Sequence, residues 1–398
     1  MTTTAPAFDP MSQDYQQNPF GYYRTMRHES PAYFIESMGV WALFRYTDVV
    51  TTLRRPDLYS SRDWIANALG EFDPVPQVPS IISSDPPDHA RLRRLASKAF
   101  APGLIRTMEP GIRALIGDLL DEVADRSEFD YVSDFAANVP VNVTARILGA
   151  DGDVARNEFK RWTADLIRSG ARSVLPSEEL DRIHTSVREL REYFTELIAF
   201  RRSNPGDDLV SALVQAEEDR QVLTADEVLS LTFIIQFGGA ETPSHLISSA
   251  LWECFQDPAL LGRVTSDPEV LPLVIDETFR HMSPVRFLGR TTTQDVELHG
   301  TVIPADSVLL SYVASACRDE TVFDDPDTFD IGRPNLSRHL ALGMGPHYCI
   351  GAVLAKMMCG LALRMSLERM PNLRPVSDDV TWLPSPWVRG LAAYPVSP

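Results

Sequence analysis

The sequence predicts a mainly α-helical protein with a small β-rich portion. Three observations carry this. Residues 108–124 place Ile112, Leu115, Ile116, Leu119, Leu120 and Val123 at helical spacing. Residues 224–256 form a long apolar stretch headed by Thr224 and Glu227, the pattern of a capping box. Residues 296–298 and 301–303 flank His299-Gly300, which reads as a tight hairpin.

The remaining elements follow in chain order. Residues 19–29 read as a helix, followed by strand-like 32–35 and 40–44. Residues 64–82 form a loop rich in proline and apolar side chains. Asp85-Pro86-Pro87-Asp88 reads as a helix start, with Asp85 as the cap and proline in the first turn. From residue 88 to 202 the pattern is mostly helical, residues 317–341 are irregular and rich in aspartate, and 350–368 are helical again. Repeats, low-complexity linkers and a domain boundary are all missing, so residues 1–398 read as a single domain.

Composition excludes several classes. A hydrophobic content of 44% is ample for a large core, and a net charge of −18 repels phosphate, which argues against nucleic acid. Residues 1–20 are polar and unlike a signal peptide. The longest apolar candidate, residues 229–240, stops at Glu241 and falls short of the ~18 residues needed to span a bilayer. A soluble, cytoplasmic protein with no membrane partner is expected. The four cysteines, Cys254, Cys317, Cys349 and Cys359, match neither a zinc pattern nor a disulfide framework.

One cysteine stands apart. Cys349 lies in Leu342-Gly343-Met344-Gly345-Pro346-His347-Tyr348-Cys349-Ile350-Gly351, directly before a helix-like segment. The glycines let the backbone approach a flat group and turn amides toward the sulfur. A thiolate held this way suits haem iron, and His347 is placed to face a haem propionate. The run resembles the cysteine loop of the cytochrome P450 family, Phe-Gly-x-Gly-x-His-x-Cys-x-Gly, with Leu342 in place of the phenylalanine.

That resemblance extends from Trp41 to Leu391. It implies the cytochrome P450 fold of the soluble bacterial type, with a long central helix crossing haem b. Gly238-Gly239-Ala240-Glu241-Thr242 resembles the family's oxygen-activation motif. There the acid and alcohol, Glu241 and Thr242, would deliver protons, and the glycines would leave room for dioxygen. Ile234, Gly238 and Thr242 follow at successive i+4 steps and share a face. Pro243 lacks an N–H, leaves the Gly239 carbonyl without its helical donor, and is expected to kink or open the helix. His89 and Arg93 share one face of the helix after Asp85, and the resemblance gives them, with Arg290 and His347, to the propionates. Arg91, Arg94 and Lys98 lie roughly opposite as a solvated basic face, suited to an acidic electron donor such as ferredoxin. Glu277-x-x-Arg280 with Arg333 matches the family's structural brace. Arg286 reads as a surface ion pair or a substrate contact.

The family pattern places substrate at residues 64–82, 233–238, 284–288 and 385–388. Trp64, Ile234, Phe237, Gly238, Phe287 and Trp387 are the candidate contacts, and Leu69 and Phe72 are further possible lining. An apolar, aromatic pocket suits a medium-sized hydrophobic secondary metabolite. The implied activity is a haem-thiolate monooxygenase that hydroxylates or epoxidises with dioxygen and two electrons from ferredoxin and ferredoxin reductase. Oxidative C–C or C–N coupling without oxygen insertion is the alternative. A non-enzymatic haem sensor is a third, but it would need no Glu241-Thr242 relay.

Overall fold

The computed structural model describes residues 8–62, 69–150, 153–169, 172, 175–218, 220–377 and 379–398. The long helix, Ala225–Gln256, is the axis of the helical part. It is buried on nearly every side over residues 227–233 and 243–251, as a helix packed all round must be. Helices Asn138–Ile147, Ser177–Ser203, Leu271–Met282 and Ala352–Arg369 pack against it. Its start is the expected capping box. The Glu227 amide donates to Thr224 Oγ1 at 3.2 Å, and the Thr224 amide donates to Glu227 Oε2 at 2.8 Å. Among the described residues no helix is long and apolar enough to cross a membrane.

The β portion is a five-stranded sheet in the spatial order Ala32–Ile35, Val40–Leu43, Val308–Ser311, Leu288–Thr292, Tyr59–Ser60. Only the pairing of Val40–Leu43 with Val308–Ser311 is parallel. Arg290 sits mid-strand opposite Leu309, which aims it from a rigid element. The expected hairpin pairs Val296–Leu298 with Thr301–Ile303. Its turn residues, His299 and Gly300, have φ of 52° and 76°, as a two-residue hairpin turn requires.

One local expectation, the Asp85 cap, is corrected. Asp85 does not cap a helix, because the helix begins at Asp88. Its carboxylate instead accepts from Ser60 Oγ at 2.5 Å and the Ser61 amide at 2.9 Å, tying the loop to the sheet edge. The long helix runs from Ala225 to Gln256 with Pro243 inside it. The Gly239 carbonyl that proline deprives of a donor accepts from Thr144 Oγ1 on the neighbouring helix, at 3.4 Å. Glycine permits this approach, since a Cβ on Gly239 would lie 3.2 Å from that hydroxyl.

The irregular 317–341 segment hangs on one buried carboxylate. Arg280 Nε and Nη2 each donate to Glu277 at 2.7 Å, and Arg333 Nε donates to Glu277 Oε1 at 3.1 Å. The Asp330 amide donates to the same oxygen at 2.8 Å. Arg280 spends its remaining donors on the carbonyls of Cys317, Pro326 and Thr328 at 3.0, 2.8 and 2.9 Å. A buried pair persists when every lone pair and proton is satisfied in this way. Glu277→Gln is therefore expected to cost about 3–5 kcal/mol by leaving guanidinium charge uncompensated. Urea unfolding checks this, and an unchanged midpoint would contradict the brace.

Candidate active site

The cysteine loop depends on two glycines. Gly343 and Gly345 have φ of 72° and 71°, and a Cβ on Gly345 would meet the Leu53 carbonyl at 2.7 Å. The Cys349 amide donates to the Leu342 carbonyl at 2.8 Å, closing the loop. Helix Ala352–Arg369 starts immediately after Gly351, whose amide faces the Cys349 sulfur. Burial pushes the Cys349 thiol up, against the pull of the Gly351 amide and the Arg93 guanidinium. A metal cation at the sulfur would reverse this and favour thiolate. The other cysteines are fully buried. Burial pushes Cys254 up to about 12 and Cys317 up to about 11, and it also raises Cys359. Only Cys349 is half-buried.

Four nitrogen-bearing side chains gather beside it. His89 is 2% exposed and its Nε2 has no hydrogen-bond partner. Its ring lies against His347, with centroids 3.9 Å apart. Burial pulls the His347 pKa down to about 3, helped by His89, Arg290 and Arg93; its Nε2 lies 3.1 Å from Ser61 Oγ. Burial also lowers His89 and Arg93. Arg290 is pulled down to about 10 by burial, with Asp85 opposing. Its recorded hydrogen bond goes to the adjacent Gly289 carbonyl, at 2.7 Å. Among the described residues neither Arg93 nor Arg290 pairs with a carboxylate. Buried cationic groups without partners are costly. The donor set fits a planar group carrying two carboxylates next to a sulfur-bound metal, which is the chemistry of haem b.

The second face is the middle of the long helix. Ile234, Phe237, Glu241 and Thr242 are half-buried and Gly238 is exposed, between fully buried stretches of the same helix. A Cβ on Gly238 would meet nothing within 4 Å. Thr242 Oγ1 donates to the Gly238 carbonyl at 3.0 Å, which commits its proton and leaves its lone pairs open.

Other expectations are redistributed. Trp64 lies outside the described residues. Phe287 is 5% exposed and packs against the Tyr312 and Trp387 rings at 5.1 and 5.2 Å, so it backs the 43%-exposed Trp387. Leu69 and Phe72 belong to the main core. Arg286 is fully buried, neither at the surface nor open to a ligand. It stacks over Tyr15 at 4.9 Å and donates to the Gln16 and Val388 carbonyls at 3.0 and 3.1 Å. Arg91 pairs with Glu227, and Lys98 Nζ donates to the Glu217 carbonyl at 2.6 Å. The basic face is thus partly knitted to neighbouring chain and not simply solvated. Sequence reading missed Ser61 and Thr144, which only tertiary packing brings in. It also missed His245, which could have been found four residues after Glu241.

The cytochrome P450 family model matches residues 11–271 and 265–371. The chain belongs to the cytochrome P450 family. The steroid C26-monooxygenase of Mycobacterium tuberculosis is 35% identical over 94% of this chain and 92% of its own length. The crystal structure of CYP109Q5 from Chondromyces apiculatus has a TM-score of 0.88 at 34% identity, covering 98% of this chain and 97% of that one. CYP109E1 from Bacillus megaterium, solved in complex with testosterone, has a TM-score of 0.86 at 31% identity, covering 96% and 99%. Cytochrome P450 enzymes are oxidoreductases that use haem b, and the chain shares that class and cofactor.

The unpaired cluster makes a two-sided prediction. Arg290→Leu removes an uncompensated buried charge, so the haem-free protein is expected to melt higher. The loaded protein is expected to lose haem about 10–100-fold faster, the value of a charged hydrogen bond. Thermal melts and haem transfer to apomyoglobin measure the two effects. A variant with unchanged haem loss would contradict the assignment.

Proposed function

We propose that this P450 is a monooxygenase of a medium-sized, largely hydrophobic polycyclic substrate, with Cys349 as the sulfur ligand to haem. The observation that carries this reading is the convergence of buried His89 and Arg290 with half-buried Arg93 and His347, without carboxylate partners, beside the one half-buried cysteine. His89, Arg93, Arg290 and His347 would bind the two propionates, with Ser61 holding the His347 ring. When bound, haem supplies the splitting of dioxygen, which thiolate donation favours.

The chain's own residues do the rest. The Gly351 amide faces the sulfur and tempers its basicity. Gly238 leaves open space at the helix surface for the reacting molecules. Thr242, its proton committed to the Gly238 carbonyl, presents lone pairs that can accept a hydrogen bond and so hold a proton-carrying water in place. Glu241, half-buried one position before it, can exchange with solvent and hand protons on.

Ile234, Phe237 and Trp387 offer apolar and aromatic surface to substrate. The testosterone complex and the steroid monooxygenase among the relatives support a rigid polycyclic molecule, such as a steroid or a cyclised polyketide. Electrons would come from a ferredoxin and its reductase, docking near the surface cavity of about 470 Å³ lined by Arg93, Arg94, Ser97, Lys98 and Ala101. The case for oxidative coupling rested on a helix opened at Pro243. Thr144 Oγ1 occupies the Gly239 carbonyl that Pro243 leaves free, and membership of a monooxygenase family supports oxygen insertion as the first reading.

A panel of steroids, cyclised polyketides and linear fatty acids tests the proposal. Polycyclic members are expected to shift the haem spin state and to gain one oxygen atom on turnover, as read by mass spectrometry. Spin shifts confined to linear acids, or products that only lose hydrogen, would overturn it.

A further inference from the structure

The long helix carries a titratable side chain that the acid–alcohol pair does not use. His245 stands one turn after Glu241, with its Nε2 3.8 Å from Glu241 Oε1. The residue is 5% exposed, and neither ring nitrogen has a hydrogen-bond partner. Buried imidazole nitrogens are rarely left in this state, because each carries a desolvation cost with nothing to offset it.

The ring is fixed in place. It lies directly on Gly390, where an added Cβ would come 2.1 Å from Nδ1 and 2.4 Å from Cγ. The backbone around that glycine is itself held. The Gly390 carbonyl accepts from the Leu383 amide at 3.0 Å, and the Arg389 amide donates to the Pro284 carbonyl at 2.8 Å. Any side chain at position 390 would collide with the ring, so the glycine is what lets it sit there. The Glu241 carboxylate, by contrast, is 27% exposed and free to turn. One partner is locked and the other mobile, and a short rotation of Glu241 closes the gap to hydrogen-bond length.

We propose that His245 is a positioning residue for oxygen activation, a buried docking point to which the Glu241 carboxylate returns between its visits to Thr242. Docked, the carboxylate accepts from His245 Nε2–H and is held away from the open side of Gly238. Released, it faces Thr242. The ring sets how long the acid spends in each place, and so how reliably protons reach the oxygen side. This rests on the role proposed for Glu241 above.

The test uses the haem-loaded protein. His245→Phe keeps the planar ring on Gly390 but removes both nitrogens. It is expected to retain the thiolate-type reduced carbon-monoxide spectrum and to keep the spectral dissociation constant for substrate within twofold. The carbon-monoxide stretching band is expected to move, and the share of electrons lost as hydrogen peroxide to rise severalfold. His245→Gln, which restores an N–H, is expected to bring both back toward the parent. In a Glu241→Ala background the His245→Phe change is expected to add nothing further. Should the phenylalanine variant not fold, His245→Asn carries the same test, since its shorter amide does not reach Glu241. A histidine variant with parental stretching band and coupling would overturn the proposal, as would a full effect persisting without Glu241. If the parent itself lacked the thiolate-type spectrum, the fault would lie with the haem assignment and not with His245.

Discussion

A cluster of basic side chains without carboxylate partners is the constraint to which the other features of the site answer. His89 and Arg93 come from one helix, Arg290 from the middle of a strand, and His347 from the cysteine loop. Each is pulled away from its charged form by burial. Asp85, the acid that opposes this at Arg290, is already engaged by Ser60 and Ser61. Packing alone does not offset such a cluster, because its two guanidiniums need an anion with matching geometry and the His89 Nε2 needs a hydrogen-bond partner. A ligand carrying two carboxylates beside a metal would relieve it, so the fold's least favourable electrostatics coincide with its proposed cofactor site.

The rest of the molecule treats buried charge differently. Around Glu277 two guanidiniums, one amide and three carbonyls leave no donor of Arg280 idle. Arg286 is satisfied largely by backbone carbonyls and the face of Tyr15. These sites hold the aspartate-rich 317–341 segment and the N-terminal chain in position. The Cys349 neighbourhood and the Glu241 region differ in placing unpartnered imidazole nitrogens, at His89 and at His245, next to candidate reactive groups.

How much could be read from the sequence followed the range of the interaction. The capping box at Thr224, the hairpin turn at His299-Gly300, the shared face of His89 and Arg93, and the Glu277–Arg280 pair all lie within four residues, where backbone geometry dictates the outcome. Misreadings arose where a distant partner intervened. That Thr144, on another helix, supplies a donor to the Gly239 carbonyl beside Pro243 was not legible. Asp85 was taken by Ser60 and Ser61 before it could cap, and Arg91 by Glu227. Phe287 and Arg286 sit in a motif segment near the substrate region, yet the N-terminal chain and Tyr312 cover them. No local pattern carries that information.

The central claim is that Cys349, and no other cysteine, is the haem ligand. The direct measurement is the absorption spectrum of the purified protein, reduced under carbon monoxide, beside that of Cys349→Ala. The parent is predicted to show the red-shifted, thiolate-type Soret band. The variant is predicted to lose it, with Cys254, Cys317 and Cys359 still present and buried. Retention of that band in Cys349→Ala, or a parent chain that takes up no haem, would contradict the account.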